Sequence, residues 1–245
     1  MADRMLTDNR RVIVVIPAYN EEKRVSRALI GMPPVVDLAM VVDDGSTDRT
    51  AEIAREHGAT VIRLPEHTNI DTALRAGFDV ALRDGYEIIV IMAGNGKDDP
   101  REIPRLLKPI EEDGYDFVQG SRYLPGGKHA NMPFHRAFGT RLYPWLLRLA
   151  TGFRATDGTN GFRALKASIL RDPKVDVRQP WLDPYGTELY LVIKVINLGY
   201  RITEVPVSKI YPNTKQYDSY TKIRPVTDWW NILKPLVYLT FKLKN

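Results

Sequence analysis

At 245 residues and 27.9 kDa, with 44% hydrophobic and 27% charged residues, the chain has the size and composition of one large globular domain. The absence of cysteine excludes disulfides and thiolate metal sites and leaves the redox compartment unread. The net charge of +5 lies in the tail: from Arg201 onward eight Lys/Arg face only Glu204, Asp218 and Asp228, and residues 1–200 are close to neutral in sum. A basic tail suits anionic lipid, nucleic acid or a phosphorylated substrate, with a solvated surface as the simpler alternative.

The opening residues, Met1 to Arg11, lack the apolar core of a signal peptide, which makes a cytoplasmic location the default expectation. Val12–Ile16 is the first apolar run of strand length, and it ends in Pro17-Ala18-Tyr19-Asn20-Glu21. Helical spacing follows over Glu22–Met32. Met40–Val42 runs into Asp43-Asp44-Gly45-Ser46, and a helix starting at Ser46 or Thr47 covers Asp48–His57. Strand Thr60–Leu64, helix Thr72–Asp84 and strand Ile88–Met92 come next, the last running into Ala93-Gly94-Asn95-Gly96-Lys97-Asp98-Asp99. Pro100 is placed to open a helix over Arg101–Asp113, before a strand at Phe117–Gln119. Short buried strands alternating with helices predict βα units and a mainly parallel sheet. Three strands ending abruptly in polar or acidic residues predict a ligand crevice at the carboxyl edge of that sheet.

Beyond residue 120 the character changes. Gly126-Gly127 and the polar residues up to Asn131 read as a loop, Arg136–Leu149 as an aromatic-rich helix, and Thr151–Asn160 as a second loop. A helix over Gly186–Leu198 and a strand over Thr203–Val207 complete the pattern, without internal repeats. No stretch reaches the roughly 18–20 apolar residues that span a bilayer. The segment 211–245 joins Trp229-Trp230, an apolar face and lysines, which suits an interfacial helix; simple docking of this helix on the domain is the alternative.

Asp43 and Asp44 end a strand, where carboxylates accept hydrogen bonds from a nucleobase or ribose; an Asp-Gly turn is the structural alternative. They do not stand alone. Pro17-Ala-Tyr-Asn-Glu21, Val42-Asp-Asp-Gly-Ser-Thr-Asp48, Gly120-Ser-Arg-Tyr123 and Asp157-Gly-Thr-Asn-Gly-Phe-Arg-Ala164 follow in order, and Glu204-Val-Pro-Val207 adds to them. With these motifs the chain, over roughly residues 12–210, resembles the family 2 glycosyltransferases of the GT-A fold. The polyprenyl-phosphate sugar synthases are the branch it is most similar to.

The resemblance implies an α/β GT-A domain over residues 1–210, a mainly parallel twisted sheet flanked by helices, followed by a C-terminal amphipathic helix. Its first part, to about residue 120, would hold the nucleotide sugar and the remainder the acceptor. Pro17, Ala18, Tyr19, Glu21 and Asn95 would border the nucleotide, with Asp43 and Asp44 near base and ribose. Arg122 and Arg136 correspond to arginines that hold an acceptor phosphate, a task for which a planar, permanently charged fork is suited; a surface ion pair is the alternative for each. Asp157 and Glu188 would lie near the acceptor. A hydroxyl acceptor would need one of them as general base, whereas a phosphate is already ionised.

The third turn departs from the family. Where relatives carry Asp-x-Asp-x-Gln around a divalent cation, this chain has Ala93, Asn95 and Lys97. One expectation is that Lys97 stands in for the metal and no cofactor is used. The rival is a displaced Mg2+ or Mn2+ site built from Asn95, Asp98 and Asp99. Asn69-Ile-Asp-Thr-Ala73 also replaces the usual glycines.

The expected function is inverting transfer from a nucleotide-diphosphate sugar to a lipid phosphate at the inner face of a membrane, contacted through the C-terminal segment. Transfer to a glycan or small-molecule hydroxyl, and a non-catalytic nucleotide-sugar binder with a decayed third turn, are the alternatives. Nucleic-acid binding is not expected, since no helix concentrates base-reading or phosphate-binding side chains.

Overall fold

The computed structural model describes residues 10–132, 134–211 and 228–244. β1 (Val12–Ala18) is buried along its whole length, as a central parallel strand covered on both faces must be. It pairs in parallel with β2 (Leu38–Asp43) on one side and β4 (Ile88–Ile91) on the other. β3 (Thr60–Arg63) extends the sheet beyond β2. At the far end β5 (Phe117–Ser121) and β8 (Ile202–Pro206) pair in parallel. β7 (Arg163–Lys166) runs antiparallel between β4 and β5, giving the order β3-β2-β1-β4-β7-β5-β8. A small second sheet pairs β6 (Lys128–Ala130) with β9 (Ser208–Ile210).

Alternation along the strands divides the core into two layers. Val12, Val14 and Ile16 pack in one cluster with α1 (Val25–Leu29), α2 (Thr50–Glu56) and α4 (Ile103–Glu111). Ile13 and Val15 belong to the other, with α3 (Ile70–Arg83), α5 (Phe134–Thr151), the single turn α6 (Ser168–Arg171), α7 (Thr187–Asn197) and α8 (Trp229–Thr240). The expected parallel α/β sheet is present.

Boundaries differ where long-range pairing or capping decides them. The Gly126–Asn131 stretch contains β6, and Gly161–Leu165 leads into β7. Such short strands carry too few residues for a periodic signal and are defined by distant partners. The helix expected from Ser46 or Thr47 begins at Thr50, whose N–H bonds to Asp48 Oδ1 at 2.9 Å. The Arg101–Asp113 helix opens as a 3-10 turn over Pro100–Glu102, with proline at its start and the Asp99 side chain accepting from Arg101 N–H.

No helix among the described residues is long and apolar enough to cross a membrane. Of the C-terminal segment, residues 212–227 and 245 lie outside the described residues. α8 buries Lys234, Leu236 and Leu239 and packs beside α5 and α7, while Trp230 remains half exposed.

Candidate active site

The carboxyl ends of β1, β2 and β4 open into a cleft of about 820 Å³. The Pro17–Glu21 and Ala93–Lys97 turns form its floor, and Arg122, Arg136 and Glu188 reach it from the far side. Leu142 and Leu146 of α5 and Ile232 and Leu233 of α8 give it an apolar wall.

On the floor, Asp44 lines the cleft and Asp43 lies behind it. Both Asp44 oxygens are engaged: Oδ2 with His67 Nδ1 at 2.8 Å, and Oδ1 with the N–H and hydroxyl of Thr68 at 3.0 and 2.9 Å. His67 in turn stacks on Tyr19, with centroids 3.5 Å apart and planes 4° from parallel. Gly45 permits this closure, because its φ is +67° and an added Cβ would sit 2.4 Å from the backbone at Glu66–His67. Asp43 is fully buried, accepts Ser46 N–H at 3.1 Å through Oδ1, and has Arg63 Nε 3.4 Å from Oδ2. Glu21 pairs with Arg24 at the cleft edge.

The third turn holds Lys97 nearly buried, at 5% exposure, with Nζ 4.7 Å from the centroid of the Tyr211 ring. Arg136 lies 5.6 Å from the same centroid. Burial, reinforced by Arg136 and Lys209, pulls the Lys97 ammonium down to about 7. Asn95, Asp98 and Asp99 do not converge. Asn95 Oδ1 accepts Lys97 N–H at 3.3 Å, and Asp98 forms a buried pair with Lys209 Nζ at 2.7 and 2.9 Å. Asp99 turns toward α4 and binds the Arg101 guanidinium. Among the described residues no three His, Cys, Asp or Glu side chains form a metal-sized group. One amide oxygen, with the Asp98 and Asp99 carboxylates already held by Lys209 and Arg101, does not fit a hard divalent cation, which takes several anionic oxygens.

On the far side of the cleft, Arg122 and Asp157 are bound to each other. The guanidinium donates through Nε and Nη2 to the two carboxylate oxygens, and Nη2 also reaches Thr159 Oγ1 at 2.9 Å. Asp157 is fully buried, and Glu204 fixes its turn by accepting the N–H groups of Thr156 and Asp157. The sequence placed Asp157 near the acceptor as a possible base; the geometry gives both of its oxygens to Arg122 and leaves Arg122 alone of the pair on the cleft wall. Glu188, in the first turn of α7, faces the cleft. Its Oε1 has no hydrogen-bond partner among the described residues and lies 3.8 Å from Arg163 Nη2. Gly161 makes room for it, since a Cβ there would stand 2.8 Å from Oε1.

Sequence reasoning missed several supports. His67 and Thr68 clamp Asp44, Arg163 is buried beneath Glu188, and Lys209 and Tyr211 cover the third turn. Asp71 accepts the N–H groups of Tyr185 and Thr187, holding the start of α7, and burial pushes its carboxyl up to about 6. Arg163 stands inside a motif read from the sequence; the rest join segments too distant for any local signal.

A mainly parallel sheet with one antiparallel insertion and a cleft at its carboxyl edge is the GT-A glycosyltransferase architecture. The structure matches glucosyl-3-phosphoglycerate synthase of Mycobacterium tuberculosis with a TM-score of 0.69, covering 94% of this chain and 81% of that one at 21% identity. That synthase has also been solved with Mn2+, UDP and glucosyl-3-phosphoglycerate. The sequence profile of glycosyl transferase family 2 matches residues 13–173. The chain belongs to this family and is a glycosyltransferase. It is 34% identical over 209 residues to polyprenol monophosphomannose synthase of Mycolicibacterium smegmatis, covering 81% of this chain and 77% of that one. It is equally 34% identical over 208 residues to undecaprenyl-phosphate mannosyltransferase of Micrococcus luteus, covering 81% and 83%.

Proposed function

We propose that the protein transfers a sugar from a nucleoside-diphosphate sugar to a polyprenyl or other lipid phosphate, with inversion at the anomeric carbon. The observation that carries this reading is the two-part lining of the cleft, with the cations Lys97, Arg122 and Arg136 and the apolar side chains of α5 and α8. A lipid phosphate has the same two-part chemistry, and two relatives are named for transfer to such acceptors.

In this reading the nucleoside lies over Pro17–Tyr19 beside Asp44, and the diphosphate sits at Lys97. The acceptor phosphate, held by Arg136, attacks the anomeric carbon as the bond to the leaving diphosphate breaks. The charge that develops on the leaving oxygen meets the Lys97 ammonium, a fixed donor in a water-poor site. An ionised phosphate needs no base, so the Glu188 carboxylate accepts a hydrogen bond from a sugar hydroxyl. Arg122, bound to Asp157, shapes the acceptor wall. The C-terminal segment, with Trp229 and Trp230 at 39% and 52% exposure, supports peripheral contact with the cytoplasmic face of a membrane.

A second reading rests on Glu188 Oε1, whose lack of a hydrogen-bond partner also fits a general base for a hydroxyl acceptor. Glu188→Gln separates the two. The amide keeps most of the transfer to a phosphate and abolishes transfer to a hydroxyl.

The test is nucleotide release from a panel of UDP- and GDP-sugars with polyprenyl phosphate, run with Mg2+, with Mn2+ and with excess EDTA. Release that is stimulated by the acceptor and survives EDTA is expected. Release that requires metal would overturn the assignment of Lys97. Release indifferent to every lipid phosphate would overturn the acceptor.

A further inference from the structure

α5 exposes Phe134, Phe138, Leu142, Trp145 and Leu149, each between 39% and 87% accessible. Their spacing keeps them within an arc of roughly 80° at 100° per residue, a single stripe along the helix. The opposite face, with Tyr143 and Leu147, is buried in the core. Among the described residues, nine of the ten large hydrophobics that stand exposed lie on α5, on α8 or just after α8. A contiguous patch of this kind marks an interaction surface rather than ordinary solvent exposure.

The same region is strongly basic. Residues 117–156 contain six Lys/Arg and no Asp or Glu. Arg141 and Arg148, about one turn either side of Trp145, border a shallow notch of about 340 Å³ that Tyr123, Pro144 and Thr156 complete. Both arginines are exposed, and among the described residues no carboxylate pairs with either. The Arg141 guanidinium lies 5.5 Å from the Tyr123 ring centroid, and the Tyr123 hydroxyl is held by Thr140 Oγ1 at 2.6 Å.

We infer that this notch seats the phosphate headgroup of an anionic phospholipid, so that α5 lies on the bilayer with its aromatic stripe in the interface. Two arginines without carboxylate partners call for an anion. The aromatic stripe beside them selects a lipid headgroup over a free phosphate, because only a membrane satisfies both at once. The cleft opens on this side, lined by Leu142 of α5 and Trp229 of α8, so docking here turns its mouth to the membrane. The inference extends the lipid-phosphate reading, naming the surface on which the enzyme would meet such an acceptor.

Vesicle co-sedimentation of the full chain tests it, with phosphatidylcholine alone and with phosphatidylglycerol added. Binding is expected to require phosphatidylglycerol and to weaken with salt. Arg141→Glu with Arg148→Glu should weaken it roughly tenfold or more, at unchanged circular dichroism and melting. The same double variant should transfer sugar to a short, water-soluble isoprenyl phosphate as the wild type does, but lose transfer to a long-chain acceptor embedded in the vesicles. Equal binding to both vesicle types, or wild-type binding by the double variant, would overturn the headgroup site. A dimer in sedimentation velocity that Trp145→Ala dissolves would assign the face to a second copy instead. Failure of the wild type on the short acceptor would sink the lipid-phosphate reading while leaving the vesicle result to stand by itself.

Discussion

On the floor of the cleft Asp44 commits both oxygens to His67 and Thr68, and Tyr19 is already stacked. On the far wall, Glu188 Oε1 and the Nε of Arg163 beneath it are buried without hydrogen-bond partners among the described residues, and α5 and α8 leave aromatic rings exposed. Buried polar groups are ordinarily satisfied, so each orphan asks for an explanation; at the floor the orphan is Asp43 Oδ2, with Arg63 Nε 3.4 Å away. On the proposed reading, the nucleotide side is largely preorganised by the chain itself and the acceptor side is completed from outside.

The largest expected effect breaks the one acceptor-side pair that is internally complete. Arg122→Met leaves Asp157 buried without its cation, and we expect a loss of about 3–5 kcal/mol in urea unfolding. Arg122→Lys should recover only part, because it lacks the bidentate fork. Next comes Lys97→Ala, which should lower kcat by about 10²–10³-fold. Added Mn2+ should not rescue it. Gly161→Ala pushes on Glu188 Oε1 and should lower kcat by roughly tenfold to a hundredfold at near-normal stability; an unchanged rate would remove Glu188 from the sugar's surroundings.

The smallest effect is a pH dependence. With its ammonium at about 7 in the free protein, Lys97 is largely neutral above that pH and is recharged when a diphosphate binds. Nucleotide-sugar binding should therefore take up close to one proton above pH 7 and none well below it. Affinity should fall by up to about tenfold per pH unit above 7. Calorimetry in buffers of different ionisation enthalpy measures the proton directly, and Lys97→Arg should abolish the slope.

Much of the floor was legible in the sequence because each element there is local: an apolar run, then a polar turn, as in Val12–Glu21 and Met40–Ser46. The pairing of Arg122 with Asp157 was not, since residues 35 apart in sequence become partners only when β5 and the loop before β7 come together. The basic band over 117–156 was hidden by the near-neutral sum of residues 1–200, where acids elsewhere cancel it. Asn69-Ile-Asp-Thr-Ala73 showed in the sequence only as a replacement of the family's glycines; in the fold Asn69 caps α3 and Asp71 reaches the start of α7.

That reach of Asp71 has a consequence for redesign. The residue belongs to the first turn of α3, beside the cleft-lining Asn69 and Ile70, but its hydrogen bonds fix the backbone immediately before Glu188. Four residues further along α3, Arg75 grips Asp183 from the same side. On the proposed reading, donor preference and acceptor geometry are therefore inherited as one unit. Grafting residues 66–72 from another glycosyltransferase to change the sugar would also displace the carboxylate opposite, unless the graft keeps an aspartate at position 71.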